Sequence, residues 1–131
     1  MKTENIKFKA KELGTGKWKE GFLQRDMDYN LCILIANKED HSWYWTQIDP
    51  STVCMFTGLR DRDGKEIWEG DILQDVDDDD IKYVVTFNEG TFLARKEGFY
   101  IGIPLHECVG SLGNDVVTYA KVVGNKFDKK E

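Results

Sequence analysis

Two residues in the last third of the chain, His106 and Cys108, have the types and spacing needed for nucleophilic chemistry. Two positions apart on an extended segment they would share a face, where an imidazole can lower the pKa of a thiol. The sequence offers no third group to orient the histidine, and a buried cysteine beside a surface histidine is the commoner arrangement. We therefore assign neither catalysis to this pair nor metal ligation to His106, Cys108 and Cys54 together.

A pair of acids, Glu69 and Asp71, offers a second kind of chemistry, because two carboxyl groups can act together as general acid and general base. The two acids flank Gly70, and the residues around them predict a turn between strands. Carboxylates in such turns commonly accept hydrogen bonds from backbone N–H groups. The pattern therefore favours backbone capping over catalysis.

An acidic run from Asp75 to Asp80 raises the question of a calcium site. Its acids alternate as the first ligands of an EF-hand loop do, but that register needs Gly where Asp80 stands and Glu where Thr86 stands. Mutual repulsion among the carboxylates disfavours a packed element here. The run predicts a mobile loop, with weak binding of a divalent cation as the alternative.

No other catalytic or nucleotide-binding motif is present in the sequence. It contains no G-x-S-x-G elbow, no phosphate-binding G-x-x-x-x-G-K-[ST] loop and no G-x-G-x-x-G fingerprint. We therefore expect a protein that is not an enzyme and that needs no cofactor.

The cysteines and the amino terminus predict a cytoplasmic location. Cys32, Cys54 and Cys108 are an odd, widely spaced set without a C-x-x-C pair, as expected for free thiols in a reducing compartment. The amino terminus lacks the apolar segment of a secretory signal. The longest apolar run, Leu31 to Ala36, is too short to cross a membrane.

The elements that must position these residues are mainly strands. Apolar residues alternate with Lys7 and Lys9 between Ile6 and Ala10, which predicts a half-buried strand. Further segments with β-branched, aromatic or continuous apolar content predict strands at 18–23, 31–36, 43–48, 53–59, 66–68, 72–73, 82–87, 91–95, 99–103, 116–119 and 120–125. Residues 104–109 predict a brief helix or a loop.

The segment from Thr52 to Leu73 is the most informative part of the chain. Asp63-Gly64 is a strong turn signal between two β-rich runs, so the segment predicts a hairpin with Asp residues as turn formers. The stretch FTGLRDRDGKEIWEGDIL resembles the signature of the YopX family, small proteins encoded in phages and prophage-like elements. A late Val122-Val123-Gly124-Asn125 segment and the opening strand are also similar to that family. One departure is Cys54-Met55, where the family pattern has Gly-Gln, so the backbone before Phe56 could differ here.

The resemblance implies a mainly β fold containing a small SH3-like β-barrel, a tendency to self-associate and no established enzymatic activity. A chain of 131 residues fits one domain. We expect an N-terminal β-layer over residues 1–50, the barrel portion over residues 51–127 and a frayed tail over residues 128–131, with little helix.

The tryptophans are the candidate interface residues, because a small barrel can bury only some of them. On a strand, Trp43 and Trp45 share one face and Tyr44 points to the other, so one side could meet a partner. A core strand with both faces buried is the favoured alternative for this run. The four interface candidates are Trp18, Trp43, Trp45 and Trp68.

Charge narrows the class of partner. The net charge of −6 and the pI near 5.0 make nucleic acid an unlikely ligand, since phosphate binding depends on clustered Lys and Arg. The surplus of tryptophans makes a homo-oligomer the expected partner state, and a host protein bound through the acidic surface is the other candidate. Lysines do gather at both termini, so a nucleic-acid-binding β-barrel that uses these basic termini is the alternative function.

Overall fold

The computed structural model describes residues 3–88, 90–96, 103–105 and 120–128, and these residues are mainly β. Short 3₁₀ turns occupy Thr3–Asn5 and Pro50–Thr52. The strands are β1 (Phe8–Lys11), β2 (Trp18–Arg25), β3 (Leu31–Ala36), β4 (Trp43–Gln47), β5 (Cys54–Arg60), β6 (Glu66–Trp68), β7 (Asp71–Asp75), β8 (Lys82–Asn88), β9 (Thr91–Lys96), β10 (Ile103–Pro104) and β11 (Ala120–Asn125).

The chain divides into two compact units, Met1–Phe56 and Thr57–Glu131. In the first unit the strands form an antiparallel sheet in the order β4-β3-β2-β1-β5, where β5 contributes its first residues. Its core consists of Ala10, Ile33 and Ile48, with partly buried apolar neighbours around them. β1 and β2 meet with Phe8 opposite Gly21. A side chain at Gly21 would collide with the carbonyl oxygen of Leu34, so this position has no room for one.

In the second unit an antiparallel sheet has the order β10-β9-β8-β7-β11, and the latter part of β5 pairs with β6. Its buried core comprises Ile67, Leu73, Val85, Ala94, Leu105 and Ala120. β11 carries a register shift between Val122 and Gly124 where it pairs with β7. The core side chains of β7, β8 and β9 alternate with exposed or partly exposed ones, which is the pattern of strands with one covered face.

The mainly β prediction is confirmed, with strand bounds close to those expected. Among the described residues the strands form two antiparallel sheets and no closed barrel, so the small SH3-like barrel stays a prediction. The boundary between the compact units lies inside β5, whereas the predicted border between layer and barrel lies at residue 50. The single domain also stays a prediction. The elements predicted at 99–102 and 106–119, and residues 129–131 of the tail, lie outside the described residues.

Candidate interaction surface

Among the described residues, the exposed hydrophobic side chains concentrate in the first unit. Of the large apolar residues that the structure describes as exposed, only Phe87 and Val123 belong to the second unit. Those of the first unit are Ile6, Leu13, Phe22, Met27, Tyr29, Trp43, Tyr44 and Trp45. Clustered apolar side chains of this kind mark interaction sites more often than isolated ones do.

Three of these side chains form a continuous surface, which we call the aromatic face and define as Phe22, Trp43 and Trp45. The strand register places Phe22 opposite Leu34 and Leu34 opposite Trp45, so the side chains of Phe22, Leu34 and Trp45 project from one face of the sheet. Trp43 lies two residues from Trp45 on the same face, and its ring centroid is 6.3 Å from that of Phe22. The aromatic face therefore spans β2, β3 and β4.

The alternation predicted for β4 is observed, but the favoured expectation that both faces of this strand are buried is wrong. Trp43 is 57% exposed, Tyr44 47% and Trp45 54%. Trp43 and Trp45 lie on the same face as Phe22 of the inner strand β2, and no described residue covers that face. Tyr44 is on the opposite face and is exposed because β4 is the outermost strand, pairing only with β3 among the named strands. Sequence alone does not give strand order, so it cannot separate an edge aromatic from a core aromatic.

Three lysines lie on the same side of the sheet as the aromatic face. Lys9 is opposite Glu20, which is two residues from Phe22, and Lys11 is opposite Trp18. The Nζ atoms of Lys9 and Lys11 lie 4.7 and 5.4 Å from the centroid of the Trp18 ring, as in cation–π contacts. The Lys7 Nζ lies 3.2 Å from Glu20 Oε1. Each cation thus already has a partner, and Trp18 is partly buried beneath two of them.

A tightly hydrogen-bonded loop borders the aromatic face beside Trp45. The Asp26 carboxylate accepts hydrogen bonds from the backbone N–H groups of Asp28 and Asn30 and from the Gln47 side chain. Desolvation alone would raise the pKa of the Asp26 carboxyl, but hydrogen bonds led by the one from Asn30 outweigh it and lower that pKa. The loop is therefore held in one conformation.

The same loop extends the apolar surface. It projects Met27, 99% exposed, and Tyr29, 78% exposed, into solvent. A shallow depression of about 530 Å³ lies between the loop and Trp45. The hydrogen-bonded backbone of the loop fixes the positions from which these two side chains project, which reduces the backbone entropy lost when a partner binds them.

Trp68, the fourth predicted interface residue, lies in the second unit and is buried. Only 4% of it is exposed, and its backbone N–H donates to the Asp71 Oδ2 at 2.7 Å. The short apolar strand around Trp68 contributes to a core rather than to a surface. We therefore leave Trp68 out of the candidate surface and add Phe22. The signal for Phe22 in the sequence is its period-two spacing from Trp18 on β2.

Two acids of the signature segment, Asp71 and Asp61, accept hydrogen bonds that fix the backbone around them. Asp71, 2% exposed, accepts from the Trp68 N–H with Oδ2 and from the Asn125 Nδ2 with Oδ1, at 3.0 Å. Asn125 Nδ2 also donates to the Glu69 carbonyl oxygen. Gly70 adopts a φ of 86° beside this network. The capping prediction is confirmed for Asp71, and the two sequence motifs that resemble the family, Glu69–Ile72 and Val122–Asn125, meet here.

Asp61 has the same role at the hairpin turn. It is 1% exposed, and its Oδ1 accepts from the backbone N–H groups of Asp63 and Lys65. Its Oδ2 accepts from the Val122 N–H on β11 at 2.9 Å. The prediction that the Asp residues of this segment form the turn is confirmed for Asp61. The hydrogen bond from the Val122 N–H of β11 to its carboxylate was not predicted.

The other chemistry-bearing residues form no assembled site within the described part of the chain. In the acidic loop, Asp75 and Asp78 cap backbone N–H groups of the loop itself. No group of three or more His, Cys, Asp or Glu among the described residues suits a metal ion, so cation binding by this loop stays a prediction. Cys32 and Cys54 are buried and form no disulfide within the described part of the chain, and burial raises the pKa of the Cys32 thiol. His106 and Cys108 lie outside the described residues.

Comparison with known proteins identifies a family. The sequence model of the family described as YopX protein matches residues 7–131. None of the curated proteins matches the chain. Among the described residues, no helix has the length and apolar character to cross a membrane.

Proposed function

The chain belongs to the YopX family, and from this membership and its exposed aromatic face we propose that it is a phage or prophage accessory protein acting as a self-associating binding module without catalytic activity. The partner in this proposal is first a second copy of the chain, and a host protein is the next candidate. The location in the proposal is the cytoplasm of the host cell.

One observation carries the proposal, namely the aromatic face with its three half-exposed rings. Aromatic side chains are enriched at protein interfaces because they bury a large area at a small entropy cost. Phe22, Trp43 and Trp45 form one continuous surface on a regular sheet, which fixes their relative positions. A rigid apolar surface of this kind suits a protein partner more than a small polar substrate.

The acids that could have suggested an enzyme support the same conclusion. Asp61 and Asp71 each accept hydrogen bonds from backbone N–H groups and are almost fully buried. A carboxylate engaged in this way is not available to exchange protons with a substrate. The structural roles of these two buried acids therefore support a proposal without catalysis.

The proposal is tested by measuring the mass of the purified protein by light scattering over about a hundredfold range of concentration. We expect a mass that rises from 15.1 kDa towards a multiple of it. The double variant Trp43→Ala/Trp45→Ala should shift the rise to higher concentration. Phe87→Ala removes an exposed ring from the second unit and serves as the control that should leave association unchanged. A wild-type monomer at every concentration would contradict the proposal.

Nucleic-acid binding is the second candidate function, and the lysines beside the aromatic face favour it. Bases stack on aromatic rings while lysines contact phosphates in proteins that bind single strands. Lys9 and Lys11 are already engaged with Trp18, and Lys7 with Glu20, so we rank this function below self-association. Fluorescence anisotropy with a single-stranded oligonucleotide decides it. Binding that weakens steeply with salt, and that Lys9→Ala weakens further, would favour this function.

A further inference from the structure

Among the residues that the structure describes, the outer edge of β4 presents backbone groups without partners. Asn37 N–H donates to the Ser42 carbonyl and Ile48 N–H donates to the Leu31 carbonyl, which fixes the phase of the β3–β4 ladder. In an antiparallel pair every second residue bonds to the neighbouring strand. Tyr44 and Thr46 therefore bond to β3. The N–H and C=O groups of Trp43 and Trp45 point away from it.

Only one end of this edge is covered. The Leu13 N–H donates to the Gln47 carbonyl at 3.0 Å, and Glu12 forms an isolated antiparallel bridge with Ile48. The Thr46 hydroxyl donates to Glu12 Oε2. Beyond that point, no residue that the structure describes supplies a backbone partner to Trp43 or Trp45 on the outer side. We call this stretch, Trp43 to Trp45, the open edge.

The open edge lacks the devices that usually prevent edge pairing. In the second unit the outer strand β10 contains Pro104, and the outer strand β11 has its ladder interrupted between Val122 and Gly124. Proline and bulges of this kind discourage the addition of another strand. β4, with the sequence WYWTQ, has neither proline nor charge and consists of residues with strong β preference.

We infer that two copies of the chain associate by antiparallel pairing of their open edges, so that the sheets of the first units join into one continuous sheet. This inference rests on the proposed self-association and specifies its contact. With Tyr44 on the two-fold axis, Trp43 of each copy lies opposite Trp45 of the other, and the paired backbones exchange about four hydrogen bonds.

A second copy fits the open edge better than an unrelated segment does, because the backbone groups and aromatic rings of one edge are complementary to those of the other. The outward N–H and C=O groups of Trp43 match those of Trp45 across the axis. The rings of Trp43 and Trp45 form aromatic cross-strand pairs on one face, and the two Tyr44 rings meet on the other. No charge in β4 opposes its own copy across the axis. The joined sheet also places two aromatic faces side by side.

The test compares Trp45→Pro with Trp45→Ala by sedimentation equilibrium. Both variants lose the ring, but only proline loses the outward N–H, and an edge position tolerates proline because that N–H does not bond within the fold. Each dimer loses two hydrogen bonds, so we expect the dissociation constant of Trp45→Pro to exceed that of Trp45→Ala about thirtyfold. Equal constants for the two variants, both folded by circular dichroism, would overturn edge pairing.

Phe22→Lys separates edge pairing from packing of the aromatic face. Phe22 lies two strands from the open edge, about 10 Å away, so a charge there should change the dissociation constant little if the edges pair. If Phe22→Lys abolishes association while Trp45→Pro retains it, the copies pack face to face. In that case the proposed self-association holds, and the inference that the edges pair is wrong. If the wild type is a monomer, both the proposed function and this inference fail.

Backbone hydrogen exchange in the wild type provides a test that needs no variant. Amide protons of Trp43 and Trp45 should exchange rapidly in dilute protein and at least tenfold more slowly where the oligomer predominates. Those of Tyr44 and Thr46 should be protected at both concentrations, since they bond to β3. Protection of Trp43 and Trp45 that is independent of concentration would overturn the inference. So would protection that appears only on mixing with an extended peptide from another protein.

Discussion

Replacing Asp61 with alanine should destabilise the second unit by an amount that can be worked from three hydrogen bonds. The carboxylate accepts from Asp63 N at 2.9 Å, from Lys65 N at 2.8 Å and from Val122 N at 2.9 Å. A hydrogen bond to a charged group contributes about 1.5–3 kcal/mol when its partner is left unsatisfied in the interior. Asp63 and Lys65 are on an exposed turn, where water can replace the carboxylate, whereas Val122 is partly buried on β11. We therefore expect a loss of about 3 kcal/mol.

A loss of that size is readily measured, since the free energy of unfolding of a typical domain is about 5–15 kcal/mol. Urea unfolding monitored by circular dichroism gives the difference, and the amide exchange rate of Val122 reports the lost contact directly. Asp61→Asn keeps one acceptor oxygen and should lose less, about 2 kcal/mol. Asp63→Ala removes an exposed acid from the same turn and should stay within about 0.5 kcal/mol of wild type.

Two results would refute this reasoning about Asp61. One is a loss in Asp61→Ala no larger than that in Asp63→Ala, which would mean that the turn holds without its buried carboxylate. The other is a large loss with unchanged exchange at Val122, which would place the effect in the turn alone and not in the bond to β11.

Three further predictions concern single positions. Gly70→Ala should lower the free energy of unfolding, measured in urea, by about 1–2 kcal/mol. The reason is that φ is 86° at this position and the new Cβ would lie 3.2 Å from Asn125 Nδ2. An unchanged urea midpoint would contradict this prediction. Gly21→Ala should lower the free energy of unfolding, measured by thermal unfolding, by more than about 2 kcal/mol, because its Cβ would displace the backbone of Leu34. A variant as stable as wild type would show that β2 and β3 can move apart without loss of stability. The pKa of Asp26 is lowered below its ordinary value of 3.8 in the folded chain, so its carboxylate stabilises the fold above that pH and the contribution disappears as the pH falls through the lowered pKa. The stability difference between wild type and Asp26→Asn should therefore shrink below pH 3.8, and a difference that grows on acidification would refute the assignment.

Local chemistry predicted the turns of this fold well and its long-range contacts poorly. Asp61 was predicted as a turn former only as one of the Asp residues around the strong local turn signal Asp63-Gly64. Its bond to Val122 joins residues 61 positions apart, which no local pattern can indicate. The departure at Cys54-Met55 has little effect on the backbone: the two residues pair with Lys9 and Phe8 in regular register.

The candidate surface was predictable in part for a similar reason. Period two put Trp43 and Trp45 on one face, and that is a local property. Their exposure depends on that face being uncovered among the described residues, as the similar exposure of Phe22 on the inner strand β2 shows, and this is a property of tertiary packing. Trp68 shows the converse, since its aromatic character suggested an interface while its neighbours in the second unit bury it. Phe22 joins the surface through the register of β2 with β3, which the sequence does not specify.

The contacts of β11 bear on the order in which the second unit folds. Asp61 and Asp71 reach Val122 and Asn125 across 61 and 54 residues of chain, so neither network closes until the last described strand has joined the sheet. Contacts of such separation form late because the chain must first lose the entropy of a long loop. A ribosome-bound chain that ends before β11 should therefore have formed its Asp63-Gly64 hairpin while the second unit is still susceptible to protease. Once β11 has left the ribosome and joined the sheet, the second unit should complete its folding in one cooperative step.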